Sequence, residues 1–475
     1  MKRSLLTLIF LLFFIQLSYA QKGINAWTLT YDNGSRIYCM VINPVNQSIM
    51  YSGSLDSGVY KTTNGGLNWY AANNGLTYNK VQCLAISSSN PDILFAGTDQ
   101  LGSTSSGVYK TTNGGTNWTY ISSGFAETSL GIQSILIDPT NPNIAYLTLF
   151  DGLLNSTNGI YKTTNGGTNW YAITDGIGTL KNFLSLAMNP KNPNVLYLGS
   201  SIDVSASTGP PHIYKTYNGG INWFEVSTGL PNLSTNNDPV RCLSISNLDT
   251  SIVLAALFMN DTAGGAYLST NGGASWTKKP NGIQNVTGTL MRACVIRPGT
   301  NNEFYIGFDA SGTATKGLIR TTDAGNTWLS FNGGTLLNTA TIRSLVFKTP
   351  LDTTLYAGTA TTTGIRGIHE YTWPHYIGIG NNGNQIPKVF LLEQNYPNPF
   401  NPMTKISFSI PVNSYVTLSV YNVIGQEVKK LLSDEFRTAG IYEMNFDAGS
   451  LAGGVYFYRL NAGNFVSTKK MILIK

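Results

Sequence analysis

The 475-residue chain is charge-poor, with 11% Asp, Glu, Lys and Arg, and carries a formal net charge of +6. Soluble domains usually devote about a quarter of their residues to charge. The positive balance is scattered, with no Lys/Arg cluster, which argues against a nucleic-acid-binding surface and leaves uncharged sugars or protein surfaces as better partners than polyanions.

Residues 1–20 read as a secretory leader: Lys2 and Arg3, an apolar run from Leu5 to Leu17, then Ser18-Tyr19-Ala20 ahead of Gln21. Cleavage is expected before Gln21. The first residue after that point is Gln21 and not a Cys, which argues against lipid attachment, and no later apolar run is long enough to span a bilayer.

From there the chain is repetitive, and a repeat fixes architecture before anything else can. A phrase of an apolar strand, a turn holding Pro or Asn, and a second apolar strand starts at Ile37, Val81, Ile132, Phe183, Val240, Met291 and Ile342. In step with it runs a ten-residue phrase such as YKTTNGGTNW, closed by Trp69, Trp118, Trp170, Trp223, Trp276 and Trp328. The ten-residue phrase predicts a third strand, a tight turn in which glycine supplies positive φ, and a fourth strand opened by the Trp. Four-stranded units that cannot bury their faces alone predict a seven-bladed β-propeller over residues 21–375, all-β and without edges. The seventh unit has no Asn-Gly-Gly hairpin after its third strand near Gly367 to Tyr371. Its fourth strand is therefore expected from Ala26 to Thr30, which carries Trp27, so that the N-terminus closes the ring.

The ten-residue phrases resemble the Asp-box, or BNR, repeat: Thr321, Asp323, Gly325, Thr327 and Trp328 match its pattern fully, while Asn64, Asn113, Asn165, Asn218 and Asn271 stand where the Asp belongs. In the sialidases, sortilin-like receptors and xyloglucan-degrading glycosidases that share it, the box is a fold device away from the ligand. The resemblance thus implies structural boxes, with their Trp and Tyr residues packing between blades. It stops at the repeat. The Arg-Ile-Pro motif of sialidases is absent, the blade count is seven rather than six, and the xyloglucan-degrading enzymes usually carry two such propellers.

Signs of catalysis are sparse. His212, His369 and His375 are not spaced as metal ligands, and there is no Gly-x-Ser-x-Gly elbow or Cys-x-x-Cys pair, so neither a cofactor nor a metal is expected. A glycosidase needs two facing carboxylates. Asp56, Asp99, Asp151, Asp203, Asp261 and Asp309 recur between second and third strands, a recurrence that fits loop capping better than one catalytic pair. A glycoside hydrolase acting through channel-mouth carboxylates stays open as the alternative.

One constellation departs from the repeat. The second place of the inner phrase is Tyr38, Gln82, Gln133, Leu184, Arg241, Arg292 and Arg343. Innermost strands line the channel of a propeller, so Arg241, Arg292 and Arg343 are the candidate ligand-binding residues, an anion site suited to a carboxylate such as that of an acidic sugar. Pairing with a loop carboxylate, Asp238 or Asp309, is the competing reading. The third place takes small residues, among them Cys39, Cys83 and Cys242, with Cys294 one place on; disulfides between adjacent blades, Cys39 with Cys83 and Cys242 with Cys294, are open in an exported chain.

Residues 376–391 form a Gly/Asn-rich linker, and residues 392–475 alternate apolar and polar positions over short runs, predicting a small antiparallel β-sandwich. Tyr396 to Pro402, Gly440 with Tyr442, Gly454 with Tyr456 and Leu460, and Lys469-Lys470 closely resemble the type A C-terminal sorting domain of the type IX secretion system, found in Bacteroidota and related bacteria. That resemblance implies passage across the outer membrane by the secretion machinery, then release or attachment to the cell surface. A secreted or surface-bound module recognising a polysaccharide or another surface protein is the function expected.

Overall fold

The computed structural model describes residues 27–372 and 387–474, apart from 33, 100–104, 126–129, 150–158, 179–181, 201–209, 232–238, 259–263, 284–289, 310–316, 334–336, 339, 349–353, 362–364, 388, 413, 438–439 and 464. The leader, most of the linker, His375, Asp151, Asp203, Asp238 and Asp261 lie outside the described residues. Two compact units, residues 1–373 and 374–475, divide the chain.

The first unit is a ring of seven four-stranded antiparallel blades, as the repeats require. The innermost strands are Ile37–Ile42, Val81–Ile86, Ile132–Ile137, Phe183–Met188, Val240–Ile245, Met291–Ile296 and Ile342–Phe347, each starting where its sequence phrase starts. Blade 7 is completed by Trp27–Tyr31, which pairs antiparallel with Arg366–Thr372, Trp27 facing Tyr371 and Leu29 facing His369. The N-terminal segment therefore closes the ring.

Why the second strands read as unbroken apolar runs follows from their place. Met50–Ser54, Leu94–Thr98 and their equivalents are buried along their whole length. The core is divided among the seams: Phe95 packs with Ile132 and Trp170 between blades 2 and 3, Phe304 with Leu254 and Trp328 between blades 5 and 6, and Ile37 with Tyr356 and Ile368 between blades 1 and 7. The four seams from blade 1 to blade 5 are also hydrogen-bonded. Trp118, Trp223 and Trp276 donate their indole N–H to Ala72, Ile173 and Val226 of the preceding blade, and Lys61, Lys110, Lys162 and Lys215 donate to turn carbonyls of the next, Gly114, Gly166, Gly219 and Gly272. The Asn-Gly-Gly turns are internally tied, Gly66 N–H to Thr62 Oγ1 and Asn68 N–H to Asn64 Oδ1, with Gly65 and Gly66 at positive φ. In blade 6 the same turn holds Ala324 at φ 59°.

Close approach at the seams sets a second glycine requirement. A Cβ on Gly176 would fall 2.1 Å from the carbonyl oxygen of Trp223, at a φ of +85°. Gly176→Ala is expected to cost about 3 kcal/mol or more, from backbone strain and clash together; urea unfolding of the variant measures it.

His369 has no exposed surface, and burial pushes its imidazole down to about 4. An unfolded chain protonates its histidines near 6.5. Between these values the unfolded state takes up a proton that the folded state refuses, so stability falls as pH drops from 6.5 to 4, by about 3 kcal/mol. Melting temperatures at pH 7 and pH 4.5 should diverge in the natural protein and diverge less in His369→Leu.

The second unit is a β-sandwich. Leu391–Leu392, Met403–Ile410 and Gly440–Asp447 form one sheet; Glu427–Arg437, Ser414–Asn422, Gly454–Ala462 and Phe465–Leu473 form the other. Phe408, Ile410, Leu418, Tyr458, Leu460 and Met471 fill the space between them. The NYPNPFNP run laces onto the last strand: buried Asn395 donates from Nδ2 to Pro397 O and Thr404 Oγ1, Asn398 Oδ1 accepts the Ile472 N–H, and Phe400 bridges Leu473. No helix among the described residues is long and apolar enough to cross a membrane.

Candidate anion site at the channel mouth

Every inner strand carries the same irregularity. Its pairing with the second strand skips one residue between the first and third places: Ile37/Cys39, Val81/Cys83, Ile132/Ser134, Phe183/Ser185, Val240/Cys242, Met291/Ala293 and Ile342/Ser344. The skipped residue is the second place of the phrase. A β-bulge frees a residue from the ladder and re-aims its side chain, and seven bulges around one axis gather seven side chains. Tyr38, Gln82, Gln133, Leu184, Arg241, Arg292 and Arg343 together line one cavity of about 120 Å³. That is room for one acidic group of a larger ligand.

The three candidate arginines are thus brought together, and charge within the ring is unbalanced. Asp309 Oδ2 lies 3.2 Å from Arg292 Nε and 3.2 Å from Arg343 Nη2. Its other oxygen accepts from Thr341 Oγ1 at 2.9 Å, and its backbone N–H donates to Leu290 O. Arg343 also stacks over the Tyr38 ring, its guanidinium carbon 4.6 Å from the centre. Arg241 has no such partner: its Nε is buried without a hydrogen bond among the described residues, as is the Nε of Arg343. Desolvation, with repulsion from Arg292 and Arg343 that Asp309 offsets only in part, pushes Arg241 down to about 9. Desolvation and the Arg343 charge push Arg292 down to about 10. A buried cation without a counter-charge is costly, and an anion entering this cavity removes that cost.

Of the recurrent acidic residues, the structure separates those that looked equivalent. Asp309 and Asp99 directly follow their second strands and donate backbone N–H groups to Leu290 O and Lys80 O; in blade 1 that position is Leu55, and Asp56 sits one place on. Asp56 caps instead, accepting from the Arg36 backbone N–H at 2.9 Å and pairing with its guanidinium. The described residues hold no group of three or more His, Cys, Asp or Glu able to bind a metal. Asp309, the one carboxylate described against the arginine ring, is held by Arg292, Arg343 and Thr341. The sequence offered Asp238 or Asp309 as a partner for these arginines, and Asp309 is the partner of Arg292 and Arg343.

A second hollow of about 350 Å³ flanks the outer strand of blade 4, where His212 Nδ1 lies 2.7 Å from Glu225 Oε1. Ser227 Oγ there accepts the Ile213 N–H.

Residues 394–475 match the family model described as a secretion system C-terminal sorting domain. No curated protein matches the chain. Among solved structures, YCF48 from Cyanidioschyzon merolae is similar at 15% identity over 74% of this chain and 99% of that one, with a TM-score of 0.51. YCF48 bound to D1 peptide gives 15%, 74%, 98% and 0.49, and the Niastella koreensis GH74 enzyme 15%, 90%, 75% and 0.33. At these identities the likeness to the first of these is one of fold. The match at the C-terminus carries the type IX sorting signal, which addresses the chain to the secretion machinery and marks it for export, as a secreted or surface-attached protein.

Proposed function

We propose that the propeller, residues 21–375, is a binding module displayed or released outside the cell, and that its ligand presents a carboxylate to Arg241, Arg292 and Arg343. The observation that carries this reading is the ring's charge: three guanidinium groups share one described carboxylate, and Arg241 has a buried Nε without a partner. An acidic glycan, or an acidic group on a surface protein, supplies what the ring lacks. The Thr-to-Asn bonding inside the repeated turns supports reading them as structural Asp-boxes remote from the ligand. Cleavage before Gln21 and the linker at 376–391 complete the proposed organisation.

Incubating the chain from Gln21 onward with acidic and neutral polysaccharides tests this, scoring retained protein and released reducing ends. Retention on acidic polymers without release is the expected result. Release that disappears when carboxylates at the channel mouth are replaced would make the protein a glycoside hydrolase; equal retention on neutral polymers would remove the anion site from the account.

A further inference from the structure

We propose that Cys242 and Cys294 form a disulfide between blades 5 and 6 in the exported protein. In blades 2 and 4 the third-place side chain reaches toward the first residue of the next inner strand: Cys83 Sγ lies 3.5 Å from Ile132 O, and Ser185 Oγ donates to Val240 O at 2.8 Å. It packs there against a glycine of the second strand, Gly97 or Gly199. Blade 5 departs from this pattern. Ala256 pairs with Cys242, as Thr148 pairs with Ser134 in blade 3, where Gly97 and Gly199 stand opposite Cys83 and Ser185; a Cβ at either glycine would fall within 2.6 Å of the facing Cys83 or Ser185 side chain. Blade 6 departs as well, with Ala293 in the third place and the thiol one residue later. The two departures bring Cys242 Sγ to Cys294 Sγ at 2.6 Å, with the Cys294 N–H donating to Cys242 Sγ at 2.9 Å. Cys39 and Cys83 occupy neighbouring blades too, but the Cys83 sulfur is turned to Ile132.

Export places the chain where disulfides form and persist. In the reaction two S–H bonds break and one S–S bond forms. The disulfide of an envelope thiol oxidase breaks by way of a mixed disulfide, and the two electrons and two protons end on the oxidase as a dithiol. Cys294 is buried and Cys242 half-buried in the closed ring, so exchange precedes the docking of blade 5 on blade 6. The bond joins the strands Val240–Ile245 and Met291–Ile296, which carry Arg241 and Arg292. It thereby fixes the spacing of two like charges; this consequence alone rests on the binding reading above.

The mature protein, recovered from an oxidising cell envelope and denatured without reductant, is alkylated and mapped by mass spectrometry. Two alkylated thiols, Cys39 and Cys83, with one peptide pair linked through Cys242 and Cys294, is the expected result; Cys242→Ser should then show three alkylated thiols. Four alkylated thiols in the natural protein, or a link between Cys39 and Cys83, would overturn the proposal. Retention on polygalacturonate, measured before and after reduction, is a separate readout: absence of retention in both states counts against the anion site and leaves the thiol count to decide the disulfide.

Discussion

Replacing Arg241 by alanine is expected to weaken binding of an acidic glycan about tenfold to a hundredfold while leaving the melting temperature unchanged or higher. A hydrogen bond to a charged group contributes about 1.5–3 kcal/mol, and each 1.4 kcal/mol is a factor of ten in affinity. Stability should not suffer, because Arg241 is the cation of the ring whose burial is least compensated. Replacing Arg241, Arg292 and Arg343 together should abolish measurable binding. There the stability cost comes from Asp309, which loses both guanidinium partners. Titration calorimetry with oligogalacturonate, alongside thermal unfolding, separates the two effects. Affinity unchanged in the triple variant would sink the site.

Deleting residues 22–31 should leave no soluble folded propeller. Blade 7 would then end at Arg366–Thr372, with an open row of backbone N–H and C=O groups, the arrangement that invites aggregation. The seam between blades 6 and 7 would lose Trp27 as well. Its ring packs on Phe331 and Tyr371, and its indole N–H donates to Phe331 O at 2.7 Å. Trp27→Ala alone is expected to cost about 3–5 kcal/mol, the usual range for truncating a buried Trp, which denaturant unfolding would read. A deletion variant that is soluble, with native circular dichroism and melting, would refute the closure.

Much of the ring was legible because the chain states it seven times. Aligning the phrases places Tyr38, Gln82, Gln133, Leu184, Arg241, Arg292 and Arg343 at one position, and the cavity is lined by those seven residues. The missing hairpin after Tyr371 likewise pointed to Trp27 as the closing strand. What alignment does not carry is the bulge. Nothing in Ile37-Tyr38-Cys39 or Val240-Arg241-Cys242 marks a skipped ladder position, since neither Gly nor Pro stands there, so the cause that turns the second residue into the channel appears only in the pairing. Counting residues also made Asp56 and Asp309 look alike. One residue of offset makes Asp56 a cap for Arg36 and Asp309 the counter-ion of two arginines. The sequence offered Cys39 with Cys83 and Cys242 with Cys294 on equal terms, and only the pairing across blades 5 and 6 shows the second pair meeting, Sγ to Sγ at 2.6 Å.

A crystal structure of the mature chain with bound oligogalacturonate decides whether the ligand's acidic group sits on the arginine ring. A carboxylate is expected within hydrogen-bonding distance of Arg241, reached through the cavity lined by Tyr38, Arg292 and Arg343. Sugar density on the outer strands, with that cavity holding only water, would contradict it.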